Sequence, residues 1–178
     1  ELSKRDQDLV RKLVQCAIDG GHLRRTQDRK CELKIVMPVI KGVAMIGAID
    51  QWHPREGQVE DFKTTSARRW ALSERALQTD PKMLCYAEWA RRQQPDITHI
   101  HLRLLYFCKD PATRTPVWPV DVRVSVDDIK AWWKDACTAA EEMINLSRAK
   151  HPVDAWQAVE GPRTETACKQ YKGCQFQR

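Results

Sequence analysis

The sequence predicts an α/β protein, with a mixed central β-sheet of about five strands flanked by helices. Three observations carry this. Five short runs have the length and apolar content of strands: Glu32–Ile40, Val43–Asp50, Val59–Lys63, Ile97–Phe107 and Val117–Val126. Longer stretches with apolar residues at helical spacing lie before, between and after them. The 178 residues contain no internal repeat or low-complexity tract and suffice for one domain with a real core.

In chain order, Asp8–Ile18 places Leu9, Val10, Leu13, Val14, Ala17 and Ile18 on one helical face, and Gly20-Gly21 ends that helix. Glu32–Ile40 and Val43–Asp50 read as a strand pair turning at Lys41-Gly42. His53-Pro54 and Arg55-Glu56-Gly57 are turn chemistry. Val59–Lys63 alternates, so Asp61 and Lys63 share one face of a strand while Glu60 and Phe62 share the other. Thr64, Thr65, Ser66, Arg68 and Arg69 follow; hydroxyls and guanidinium groups there suit a phosphate backbone, or equally a capping segment with solvated arginines. Trp70–Leu77 reads as helical, and Thr79-Asp80-Pro81 starts a further helix running to about Arg92. Ile97–Phe107 sets His99, His101 and Arg103 on one face, either as ligands for zinc or nucleic acid or as the wetter side of a sheet. After the turn-rich Asp110–Pro116, Val117–Val126 returns as a hairpin partner. Ser125-Val126-Asp127-Asp128 resembles a capping box opening a long helix to about Ala149, with Ile129, Trp132, Trp133, Ala136, Ala140, Met143 and Ile144 as its apolar side. Residues 1–150 therefore form the expected core, and 151–178 a cysteine-containing segment packing on it.

Hydrophobic content of 42% and charged content of 30% exclude a disordered chain. No apolar run is long enough to span a bilayer, and no signal-peptide pattern is present. The formal charge of +6 suits a polyanionic partner without specifying one. Seven cysteines, an odd number without an export signal, point to free or metal-bound thiols in a reducing compartment. No cofactor loop or nucleophile triad is present.

The chemistry concentrates in Gly47–Lys63. If the two runs pair as a hairpin, Asp50 lies beside Asp61, with Lys63 on the same face as Asp61. Two adjacent carboxylates raise each other's pKa unless a cation separates them, and a hard divalent ion is the usual solution. Such an ion and a neighbouring lysine are the minimum equipment for cutting a phosphodiester.

Gly47-Ala48-Ile49-Asp50, then Asp61-Phe62-Lys63-Thr64-Thr65, then a helix carrying Tyr86 resemble the RecB-like exonuclease branch of the PD-(D/E)XK nuclease superfamily, of the phage or CRISPR-associated type. The likeness runs from about Glu32 to the end; Lys82 departs from it, standing where the pattern has glutamine. The resemblance implies a restriction-endonuclease-like core and a DNA exonuclease using Mg²⁺ or Mn²⁺. It implies that Asp50, Asp61 and the Phe62 carbonyl hold the metal, with Glu32 or His22 as a further candidate ligand. For each of these two the other reading is an exposed residue, at a strand start or in a loop. Lys63 and Tyr86 complete the implied catalytic set, and Arg68, Arg69 and Lys82 are candidates for DNA contacts. Expected partners are DNA and a recombination or single-strand annealing protein, in the cytoplasm of a bacterial or phage-infected cell. Cys168 and Cys174, with five residues between them, resemble the late cysteines of relatives with a 4Fe–4S cluster. A cluster needs four thiolates, so it requires further cysteines outside this chain or an early partner such as Cys16 or Cys31. Zinc binding and idle thiols are the alternatives.

Overall fold

The computed structural model describes residues 3–23, 28–110 and 113–147. Its elements are α1 (Lys4–Asp19), β1 (Lys30–Ile40), β2 (Val43–His53), β3 (Gln58–Thr65), α2 (Glu74–Gln78), α3 (Pro81–Gln93), β4 (His99–Cys108), β5 (Val117–Ser125) and α4 (Val126–Ser147), with short 3-10 turns at Pro54–Glu56 and Arg68–Trp70. The five strands form one sheet in the order β1-β2-β3-β4-β5. Only β3 and β4 run parallel; the other neighbours are antiparallel. A parallel pair cannot be joined by a tight turn, and α2 and α3 make the crossover. The expected mixed sheet flanked by helices is the architecture found. Residues up to Thr138 form one compact unit that holds the whole sheet, and Ala139–Arg178 form a second, of which only the end of α4 is described. The expected C-terminal segment 151–178 lies outside the described residues. No helix among the described residues is long and apolar enough to cross a membrane.

Each element has a local cause. Ser3 caps α1 by accepting from Asp6 N, which starts the helix four residues before the apolar periodicity does. The β1–β2 turn needs a left-handed residue and Gly42 supplies it, at φ 83°. Asp80 caps α3 through Met83 N, with Pro81 in the first turn. Ser125 accepts from Asp128 N at 3.1 Å and donates to its carboxylate at 2.6 Å, the capping pattern read from the sequence. The expected helix over Trp70–Leu77 is a correction. Only Glu74–Gln78 is α-helical, because Ser73 caps at Ala76 N and the preceding residues are tied elsewhere.

The main core lies between α3 and one face of the sheet. Trp52, Met83, Leu102 and Leu104 are at most 1% exposed there, and burying each such side chain stabilises by about 1.5–3 kcal/mol. On the other face, Ala17 of α1 packs with Leu105 and Val117, flanked by Phe62 and Phe107. The apolar stripes are less buried than their spacing suggests: Val10, Val14 and Ile18 of α1 and Met143 of α4 stand exposed.

Strict alternation fails beside the candidate site. Ile49 and Trp52, three residues apart on β2, both belong to the core beneath α3. One residue between them must therefore turn sideways, and Asp50 lies there. Opposite it in the β1–β2 register, between Cys31↔Gln51 and Leu33↔Ile49, sits Glu32 in the left-handed region at φ 52°.

Candidate active site

Asp61 is 2% exposed, carried by the middle of β3 on the face beneath α3. Lys63 pairs with its Oδ2 from the next position on the same face. Lys82, from the first turn of α3, reaches its Oδ1 at 2.7 Å. Partial burial, the largest single influence on Lys82, works against its charge. Its hydrogen bond to Asp61 and the field of that carboxylate outweigh burial and raise its pKa above the ordinary lysine value. Asp61 is thus a buried carboxylate held by two cations, both of them partly solvated.

Asp50 approaches from β2. The β2–β3 pairing is confined to Gln51↔Glu60, Trp52↔Val59 and His53↔Gln58. One step further, Asp50 would face Asp61, but the strands part and the Asp50 carboxylate takes the place of the missing rung, accepting from Phe62 N at 2.7 Å. In a strand the N–H and C=O of one residue point to the same side, as the reciprocal bonds of an antiparallel pair require. The Phe62 carbonyl therefore also faces the side on which β2 lies. The Phe62 ring goes to the opposite face of the sheet, edge-on to Phe107 at 5.8 Å.

Tyr86 explains the glycine of the Gly-Ala-Ile-Asp stretch. Its hydroxyl donates to Ala48 O at 2.6 Å, and a Cβ on Gly47 would meet its ring at 3.0 Å. The missing side chain at Gly47 lets α3 close onto β2 just before Asp50. Burial, foremost, and Asp61 raise the pKa of the Tyr86 hydroxyl against the pull of Lys82, so it remains a protonated donor. The Lys82 ammonium also lies 5.4 Å from the centre of the Tyr86 ring.

Asp50, Asp61, Phe62, Lys63, Lys82 and Tyr86 are thus gathered at one place. Glu32 is exposed on the neighbouring strand, opposite Asp50. His22 goes elsewhere: it follows α1 and stands 3.4 Å from Arg103, on the Phe62 side of the sheet, so the structure does not bring it to Asp61. Arg68 and Arg69 lie exposed just beyond β3, their guanidinium groups 5.4 Å over Trp118 and 5.2 Å over Trp70. Cys168 and Cys174 lie outside the described residues. Cys16, Cys31, Cys85, Cys108 and Cys137 are free thiols, and burial pushes that of Cys85 up to about 11.

A second polar cluster, on the other face of β3, escaped the sequence reading. Gln51, Glu60, Arg103 and Asp121 form one register row across four strands. Glu60 is 2% exposed and lies 3.4 Å from both His53 Nε2 and Arg103 Nε. Asp121 lies 3.2 Å from His101 Nε2 and 3.5 Å from Arg103 Nε. The alternation that put His101 and Arg103 on one face was the available signal; that Arg103 faces Glu60 depended on strand order. Glu60, Arg103 and Asp121 of this row line a cleft of about 580 Å³, and a cleft of about 720 Å³ lies between residues 54–57 and 93–99. Neither is lined by Asp50, Asp61 or Lys63.

No protein-family profile, curated protein or solved structure matches this chain.

Proposed function

We propose that this protein is a metal-dependent DNA nuclease, an exonuclease hydrolysing phosphodiester bonds in DNA recombination, repair or phage DNA processing. The observation that carries the reading is the conjunction at β3: a buried Asp61 with Lys63 on it, and Asp50 bonded to the main chain of the very next residue. Asp50, Asp61 and the Phe62 carbonyl are oxygen donors only. That set fits Mg²⁺ or Mn²⁺, which retain waters and need few protein ligands.

When bound, such an ion supplies charge neutralisation at the phosphate and acidifies water. The residues do the rest. Asp50, Asp61 and the Phe62 carbonyl would hold the cation. Lys63 orients the attacking water and offsets the charge that grows on the phosphoryl oxygens. Lys82 adds a second positive charge, and Arg68 and Arg69 contact neighbouring phosphates. Tyr86 acts at one remove, fixing Ala48 and with it the approach of β2 to Asp50. A recombination or single-strand annealing protein as partner, and a cytoplasmic site of action, belong to the same proposal.

Purified full-length protein is expected to degrade linear DNA with Mg²⁺ or Mn²⁺. Asp61→Asn and Lys63→Ala should each lower the rate by about 100-fold or more while circular dichroism stays unchanged. Variants as active as the parent would overturn the reading. A second reading, a nuclease fold retained for nucleic-acid or partner binding, is favoured by the two lysines that together occupy Asp61. DNA binding by the parent protein without cleavage would select it.

A further inference from the structure

The segment that follows β3 is built more rigidly than a connecting loop needs to be. Thr65 Oγ1 donates to Ala67 O at 2.9 Å and accepts from Ala67 N at 3.3 Å. Trp70 N and Ala71 N then close a 3-10 turn onto Ala67 O and Arg68 O. Two side chains of the sheet hold this turn from below. Arg68 lies over Trp118, Trp118 is stacked on Tyr106 at 5.6 Å with 10° between the rings, and the Tyr106 hydroxyl accepts from Leu72 N at 3.0 Å. Tyr106 and Trp118 stand in one register row with Lys63. The turn is therefore anchored on the same face and at the same level as the amine of the proposed catalytic set.

Between these two anchors sits Trp70, 66% exposed. Tryptophan is the largest apolar side chain, and one fixed in the open on a braced turn is not covering a core. The Arg69 guanidinium lies 5.2 Å from its ring centre and occupies one face. Arg68 and Arg69, in the same turn and both exposed, attract a phosphate backbone. An aromatic ring beside such charge is the arrangement on which unpaired bases stack while their phosphates are neutralised.

We propose that Trp70 is a stacking platform for an unpaired base of single-stranded DNA, or of the frayed end of a duplex, with Arg69 on the adjoining phosphate. The substrate class is then a strand whose bases are free, delivered past the turn to Lys63 and Asp61. This deepens the nuclease reading and rests on it for what happens to the strand, but the contact itself is a binding claim.

The test measures binding by fluorescence anisotropy of full-length protein in EDTA, so that cleavage plays no part. The probes are labelled oligothymidylate and an abasic oligomer of the same length. Trp70→Ala should weaken oligothymidylate binding about tenfold and leave the abasic probe unaffected, whereas Trp70→Phe should retain most of the affinity. Arg69→Ala should weaken both probes. Equal binding of oligothymidylate by parent and Trp70→Ala, or equal losses on both probes, would overturn the proposal. On the unmutated protein, light-induced crosslinking from bromodeoxyuridine should mark the peptide containing Trp70; a crosslink confined to other peptides would also overturn it. Absence of cleavage by the parent protein would overturn the nuclease reading and leave this result standing.

Discussion

The two faces of β3 carry the same group in different settings. Asp61 and Glu60 are neighbours in sequence, each 2% exposed, and each meets two nitrogen-bearing side chains. Asp61 is held by lysines whose side chains are 38% and 48% exposed; Glu60 is held by Arg103 and His53, at 17% and 11%. A lysine on a flexible stem in partial contact with water can exchange its partner for an incoming ion or phosphate. Arg103 and His53 are less exposed, and Arg103 is shared between Glu60 and Asp121 of the same register row. One carboxylate is available for exchange, and the other is part of the frame.

That contrast can be broken in four ways. The largest expected effect is Glu60→Gln, which leaves Arg103 with Asp121 as its remaining acid. It should lower stability by about 1–3 kcal/mol in urea titrations, with cleavage by the surviving folded protein little changed. If cleavage falls as steeply as in Asp61→Asn, the two faces are not separate. Next, Lys82→Gln removes one of the two cations competing for Asp61. The Mn²⁺ concentration needed for half-maximal cleavage should fall by about threefold or more; an unchanged midpoint would mean that Lys82 does not compete with the ion.

Acid should act on the framing face. Burial, the largest influence on Asp121, pushes its pKa up, but His101 and the charges of Arg103, His101 and His22 outweigh it and hold the carboxyl below the ordinary aspartate range. A carboxyl whose folded pKa is depressed contributes stability that is present above its unfolded pKa and is lost as pH falls through the folded value. Stability should therefore decline on acidification below the usual aspartate pKa, and Asp121→Asn should flatten that decline in melts taken across the acid range. An identical pH profile in the variant would remove Asp121 from the account. The smallest effect expected is Tyr86→Phe. It loses the bond to Ala48 O and costs about 1 kcal/mol, with cleavage reduced further than stability because the support of Asp50 is loosened. Equal, small losses in both would leave Tyr86 a packing residue.

Much of the Asp61 face was legible because its signals are local. Alternation in Val59–Lys63 placed Asp61 with Lys63, Pro81 marked the start of α3, and Lys41-Gly42 marked the hairpin turn. The rest depended on what lies far away in sequence. Asp50 sits at a break in alternation that only the parting of β2 from β3 produces. Glu60 is buried because β4 and β5 set Arg103 and Asp121 beside it, which no pattern within β3 reports. The turn at Arg68–Trp70 displaces the expected helix because Tyr106, 34 residues on, takes Leu72 N. His22 follows α1 at the expected Gly20-Gly21 stop, yet α1 lies across the sheet from Asp61, and helix placement is a tertiary fact.

The short seam between β2 and β3 has a further consequence. The hairpin of β1 and β2 pairs with the remaining sheet only at Gln51, Trp52 and His53, and α3 supports its lower arm through Ile35, Ile49 and the Tyr86–Ala48 bond, so it is a lever whose root is short and whose tip is free of the sheet. Its tip at Lys41-Gly42 can lengthen or change composition with little effect at the root. A substitution at Trp52, by contrast, tilts the whole lever and carries the Asp50 carboxylate away from Phe62. Tolerance to change along this hairpin should therefore be graded, permissive at the tip and strict at the hinge.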